Sequence, residues 1–174
     1  MRSRTRSTGL RKATHSDLEA QGVLTAYSLC IQVLEALGLR PGSVVLDFGC
    51  SWGYGSSQLS RAGFDVYSYE ISDPRARYVA ETSNCKTLES TKSYPRKVDC
   101  FFSAHVIEHL SNLNIFWDAA LDVLAPYGLI VCSCLNGHPD REHMCRTRYH
   151  NICGKMHPLY ISPQYAREIT SRKD

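Results

Sequence analysis

The chain has 174 residues, a formal charge of +3, 43% hydrophobic and 21% charged side chains. That length fits one domain with a single core. No apolar run approaches the roughly 18 residues of a membrane-spanning helix, and no secretory signal opens the sequence, which argues against membrane insertion and for a soluble, cytoplasmic protein.

Charge is uneven along the chain. Residues 1–16 carry Arg2, Arg4, Arg6, Arg11 and Lys12 and no acid, leaving fifteen basic against seventeen acidic residues, a net −2, in the body. The basic stretch reads as a disordered, solvated tail, with an organelle transit peptide as the alternative. A near-neutral body at 17–174 does not favour a broad nucleic-acid surface, although the tail offers charge for phosphates. The eight cysteines read as reduced thiols in this setting, and Cys30, Cys100 and Cys132, inside apolar segments, read as core residues.

In chain order, residues 24–37 place Leu24, Ala26, Cys30, Ile31, Val33, Leu34 and Leu37 at mostly helical spacing before Gly38 and Pro41. Residues 44–48 are an apolar strand running into a glycine-rich turn, and residues 57–62 resume a helical pattern. The unit then recurs, with a strand over 65–70 and a helix over 74–81 that has Pro74 in its first turn. A weak strand at 85–89, a clear one at 98–104, a helix over 113–124 and a strand over 129–134 follow, the last introduced by the turn Pro126-Tyr127-Gly128. This alternation predicts an α/β fold, a parallel sheet with helices on both faces. From 136 to 163 the pattern gives way to His, Cys, Arg and Pro, as in a long substrate-side insertion. A short helix over 163–172 ends the sequence.

The most informative stretch is VVLDFGCSWGYGSSQL. Gly49, Gly53 and Gly55 fall between a strand and a helix, where missing Cβ atoms permit a tight turn and close approach to the backbone. The spacing is neither the Gly-Lys-Ser/Thr ending of a nucleotide P-loop nor the dinucleotide G-x-G-x-x-G. Glu70 ends the second strand, 21 positions after Gly49, where a carboxylate can accept both ribose hydroxyls of an adenosine ligand.

The pattern D-x-G-x-x-x-G-x-G from Asp47 to Gly55 resembles motif I of the class I S-adenosylmethionine-dependent methyltransferases, which have a Rossmann-like sheet. The resemblance continues through VDCFFSAHVIEHL and LAPYGLIVCSC and covers about residues 24–135. It implies S-adenosylmethionine as cofactor, held by Asp47, Gly49, Cys50, Gly53, Gly55, Glu70 and Ile71, with Ser103 and Ala104 bordering the methyl donor. Two departures stand out. The acid that often contacts the adenine amine has only Glu89 as a counterpart, and nothing after Cys134 looks like the two further strands that close the family's sheet, so its edge invites a dimer or a partner subunit.

His105 follows the fourth strand at the edge where ligands bind in open α/β sheets, and an imidazole there is a candidate general base. A packed or solvated histidine is the simpler alternative. Glu108 and His109 read as the start of the next helix, where capping explains the carboxylate as well as chemistry does. Together His105, Glu108 and His109 form H-x-x-E-H, similar to the E-x-x-E-H metal segment of some methyltransferases acting on vicinal hydroxyls. The first glutamate is here histidine, and no metal is assigned. Cys132, Cys134, His138, His143, Cys145, His150, Cys153 and His157 crowd the end of the chain without the C-x-x-C spacing of structural zinc. Trp52 and Tyr54 either flank the cofactor's methionine portion or pack on neighbouring helices. Three functions stay open: methyl transfer to a small-molecule acceptor, transfer to RNA or protein with Arg146, Arg148 and Lys155 as docking charges, and a cofactor-binding subunit completed by a partner.

Overall fold

The computed structural model describes residues 23–89, 97–135, 137 and 157–171. The elements, in chain order, are α1 (Val23–Ala36), β1 (Val44–Phe48), α2 (Tyr54–Arg61), β2 (Asp65–Tyr69), α3 (Asp73–Thr82), β3 (Lys86–Leu88), β4 (Val98–Ala104), a 3₁₀ turn (Ile107–His109), α4 (Asn114–Val123), β5 (Leu124–Ser133) and α5 (Pro163–Ser171). The tail and most of the 136–163 stretch lie outside the described residues, with His138, His143, Cys145, His150, Cys153 and the docking charges among them.

Five parallel strands line up in the order β3-β2-β1-β4-β5. Side chains alternate between the faces, so each central strand feeds two cores. Val45 of β1, Val66 of β2, and Cys100 and Phe102 of β4 pack with Leu34 of α1 and Leu59 of α2. On the other face Leu46 and Phe48, Tyr67 and Phe101 meet Phe116, Ala119, Ala120 and Val123 of α4. Phe48, Phe101 and Phe116 form an aromatic triangle with ring centroids 5.1 to 6.0 Å apart. Burial on both faces explains why β1 and β4 read as unbroken apolar runs. The register is pinned where the Val44 N–H donates to Asp99 Oδ2 at 2.8 Å.

Two expectations are corrected here. The turn Pro126-Tyr127-Gly128 does not precede the last strand but lies within it: β5 starts at Leu124, opposite Val98, and resumes at Leu129, opposite Cys100. Five steps of β5 therefore span two of β4, a bulge in which Tyr127 takes φ +65°. Cys132 is exposed rather than a core residue. It lies on β5, which borders the sheet with no strand beyond it among the described residues. Cys100 is buried as expected, and burial pushes its thiol up to about 12.

Candidate functional site

The loop from Gly49 to Gly53 is tied down by its own backbone and by two carboxylates. The Gly49 and Cys50 N–H groups both donate to the Tyr69 carbonyl, at 2.8 and 3.0 Å, so the loop follows the end of β2. Glu70 then bridges two turns. Its Oε2 accepts from the Ser51 N–H and its Oε1 from the Ser72 N–H, each at 2.9 Å. A carboxylate oxygen has two lone pairs, so both retain acceptor capacity for a ligand.

Asp47 has a different place from Glu70. It is only 1% exposed, and the Ser56 hydroxyl donates to its Oδ2 at 2.6 Å, joining β1 to the first turn of α2 beneath the loop. Burial pushes its carboxyl up to about 6, against the lowering effect of the Ser56 bond, and the nearby Glu70 charge adds to the rise. Cys50 is also buried, and its thiol is pushed up by burial and by the Asp47 charge.

Gly49 and Gly53 hold φ values of +81° and +74°, left-handed backbone that suits glycine. Gly55 is needed for another reason: a Cβ there would run into the ring of Tyr27, which packs over it from α1. Tyr27 lies edge-on to Tyr54 at 6.0 Å and tilted against Phe102 at 6.4 Å. It is a residue packing on the glycine loop that sequence reasoning missed. Its signal was the spacing Tyr27, Ile31, Leu34 on the buried face of α1. Trp52 and Tyr54 both show packing contacts. Trp52 meets Tyr78 edge-on at 5.4 Å beneath the Arg75 guanidinium, though it stays 39% exposed.

Helix α2 begins at Tyr54 with Gly53 as its N-cap and no side-chain cap. The first turn of such a helix presents backbone N–H groups and the positive end of the dipole, a setting for an anionic ligand group. Ile71, beside Glu70, is 85% exposed. Ser103 is buried and donates to the Phe48 carbonyl at 3.1 Å, and Ala104 is half-buried at the end of β4. Glu89, the weak adenine candidate, follows β3 and is exposed.

His105 leaves β4 in the left-handed region, φ +56°, with its N–H donating to the Ser133 carbonyl at 2.7 Å. Ser51, in the loop, shares that uncommon backbone at φ +53°. Non-glycine residues held there cost about 1 to 3 kcal/mol and gather at functional sites. The His105 ring is 63% exposed, and its Nδ1 lies 3.1 Å from Glu108 Oε1. Glu108 does not open a helix, as the sequence suggested. It sits in the 3₁₀ turn, only 1% exposed, while α4 starts at Asn114. The hydrogen bond to Glu108 raises the His105 pKa against the effect of burial. Burial acts to raise the Glu108 carboxyl, but the His105 bond, a backbone bond and the charges of His105 and His109 leave it lowered. The His109 and His157 rings stand 4.6 Å apart. Among the described residues, no three His, Cys, Asp or Glu side chains form a group that could hold a metal.

Comparison with known proteins bears on the family and the fold. The ubiquinone biosynthesis O-methyltransferase of Cereibacter sphaeroides is 32% identical over 111 residues, 59% of this chain and 43% of that protein. The chain thus spans less than half the length of that relative. Magnesium protoporphyrin IX methyltransferase of Synechocystis PCC 6803, solved with bound SAH, superposes with a TM-score of 0.67 at 16% identity, covering 92% of this chain and 77% of that one. A Haloferax volcanii complex between the Trm112 methyltransferase activator and a methyltransferase gives 0.67 at 15% identity, with 92% and 73% covered. At those identities the structures speak for the fold alone. The profile of a methyltransferase domain matches residues 24–171. Because that match takes in every described strand and the whole glycine loop, the chain belongs to the class I S-adenosylmethionine-dependent methyltransferase family.

Proposed function

We propose that this chain binds S-adenosylmethionine over the Gly49–Gly55 loop and promotes methyl transfer to a small-molecule acceptor, with His105 as the general base. The observation that carries the reading is Glu70, fixed at the end of β2 by the Ser51 and Ser72 N–H groups with acceptor capacity to spare. Its carboxylate would take the ribose hydroxyls, and the exposed Ile71 would offer an apolar face to the adenine. The uncapped start of α2 suits the carboxylate of the methionine portion. Gly49, Cys50 and Gly53 shape the loop under that portion, Asp47 and Gly55 hold it through Ser56 and Tyr27, and Ser103 and Ala104 border the methyl group. The cofactor supplies a methyl already activated on a sulfonium, so the protein's work is position and proton removal.

A small-molecule acceptor is supported by the net charge of −2 outside the basic tail and by the kinship with ubiquinone biosynthesis O-methyltransferases. RNA or protein remains the alternative acceptor, with its supporting charges outside the described residues. A second reading, a subunit completed by another chain, is favoured by one observation. Beside β5 runs an apolar cleft of about 610 Å³, lined by Leu29, Val33, Phe102, Trp117, Ile130 and Cys132 among others. A cytoplasmic setting fits the free thiols and the lack, among the described residues, of a helix long and apolar enough to cross a membrane.

Titration calorimetry of the folded chain with S-adenosylmethionine and S-adenosylhomocysteine tests the central proposal. Binding of both is expected. No heat with either at millimolar concentration overturns it.

A further inference from the structure

We propose that Glu108 is a positioning residue for His105: its carboxylate keeps the ring proton on Nδ1 and leaves the Nε2 lone pair facing the methyl acceptor. The inference rests on the reading of His105 as the base.

The geometry assigns the tautomer. Glu108 Oε1 is 3.1 Å from Nδ1, and an ionised carboxylate has no proton to give, so Nδ1–H is the donor. Nε2 is then the basic nitrogen, on a ring whose side chain is 63% exposed. The main chain restricts the ring further, through the φ of +56° and the 2.7 Å bond from the His105 N–H to Ser133. Glu108 is itself fixed by burial and by the Leu159 N–H, which donates to its carbonyl at 3.3 Å.

The other oxygen argues that this arrangement is not there for stability. Among the described residues, Glu108 Oε2 is buried and has no hydrogen-bond partner. A buried carboxylate half satisfied in this way is costly, and an apolar or amide side chain would fill the same space with less penalty. The charge gains its use when the ring takes up a proton. The acceptor's O–H or N–H gives its proton to Nε2, its electron pair forms the new bond to carbon, and the pair of the broken sulfur–carbon bond stays on sulfur. The resulting imidazolium faces the Glu108 carboxylate, which compensates its charge. Among the described residues, the other titratable groups around this turn are His109 on the turn itself, His157 beside it, the Cys132 thiol of β5 and the Cys134 thiol just after it, the two thiols feeling the Glu108 charge.

The test is the ring tautomer, read from long-range ¹H–¹⁵N correlation spectra of the full, uniformly labelled chain at a pH above the histidine titrations, with His105→Gln to identify the resonance. The expected result is a protonated Nδ1 and a bare Nε2 for His105, reverting in Glu108→Leu, which leaves no acceptor for Nδ1–H, toward the Nε2–H form that free histidine favours. The same variant should lower the His105 titration midpoint and leave thermal stability unchanged or raised. A wild-type ring protonated on Nε2 overturns the proposal, and that measurement stands even if the variant fails to fold. A tautomer that survives Glu108→Leu overturns it too. With an acceptor in hand, Glu108→Gln should lower kcat about tenfold or more and shift the acid limb of the pH profile downward, with the KM for cofactor unchanged. Absence of S-adenosylmethionine binding would sink the functional reading while leaving the tautomer result intact, so the two failures are separable.

Discussion

Ser51 and Glu70 are joined across the site: the Ser51 N–H, in left-handed backbone, donates to Glu70 Oε2 at 2.9 Å and fixes the glycine loop to the end of β2. The carboxylate that would bind the ribose is therefore also the one that shapes the loop. Glu70→Ala should weaken S-adenosylmethionine binding by about 1 to 3 kcal/mol, the range for losing hydrogen bonds to a charged group. Calorimetry on a variant shown by melting to be folded measures it. Unchanged affinity would move the ribose contact to another residue.

Tyr27 and Gly55 give a packing prediction. Alanine is the better helix former by about 1 kcal/mol, but its Cβ at position 55 would meet the Tyr27 ring, which Tyr54 and Phe102 flank. Overpacking a well-filled contact costs about 1 to 3 kcal/mol. Gly55→Ala should thus lower the Tm by several degrees, at roughly 2 to 4 °C per kcal/mol for a chain of this size. In a Tyr27→Leu background the same substitution should become neutral or stabilising. A loss that persists there would place the strain in the backbone instead.

These contacts mark the limits of what the sequence could show. Strands β1, β2 and β4 were legible because both faces of the sheet are covered, which makes their apolar runs continuous. Glu70 and the loop were legible because they are set by local spacing. Tyr27 was not, since its contact with Gly55 spans 28 positions and depends on how α1 docks. Glu108 read as a helix start because local pattern alone does not reveal the tie from Leu159 or the break at Val106, φ −122°. Pro126-Tyr127-Gly128 carried true turn signals, but pairing with β4 on both sides kept them within one strand. Cys132 sits in an apolar run, yet the run lies at a sheet border, and composition does not distinguish border from centre.

Asp47 makes stability depend on pH. Its folded pKa is raised from 3.8 to about 6, so between those values the folded state holds more protons than the unfolded one. Stability from this group is full below about pH 4, falls as pH rises through 6, and is then constant. The neutral-pH penalty is on the order of 2 to 3 kcal/mol. Asn in its place keeps an oxygen for the Ser56 hydroxyl and carries no charge. Asp47→Asn should therefore raise the Tm at pH 7.5 and leave it nearly unchanged at pH 4. Equal effects at both pH values would show that the carboxyl is not the source.

The border at β5 should govern how the chain behaves in solution. Beyond β5 no strand follows among the described residues, and its N–H and C=O groups on that side form a template for pairing. Beside it Leu29 is 62% and Val33 41% exposed on α1, both facing the apolar cleft that also takes in Cys132. A strand edge flanked by apolar surface on this scale favours association over a free monomer. Light scattering of the purified chain should show a dimer, a complex with another protein, or slow aggregation. Leu29→Lys with Val33→Glu should reduce that association without affecting S-adenosylmethionine binding, since both residues lie away from the glycine loop on the β5 side. A monomer at high concentration that unfolds cooperatively would show the edge to be covered from within the chain, and the substitutions would then cost stability instead.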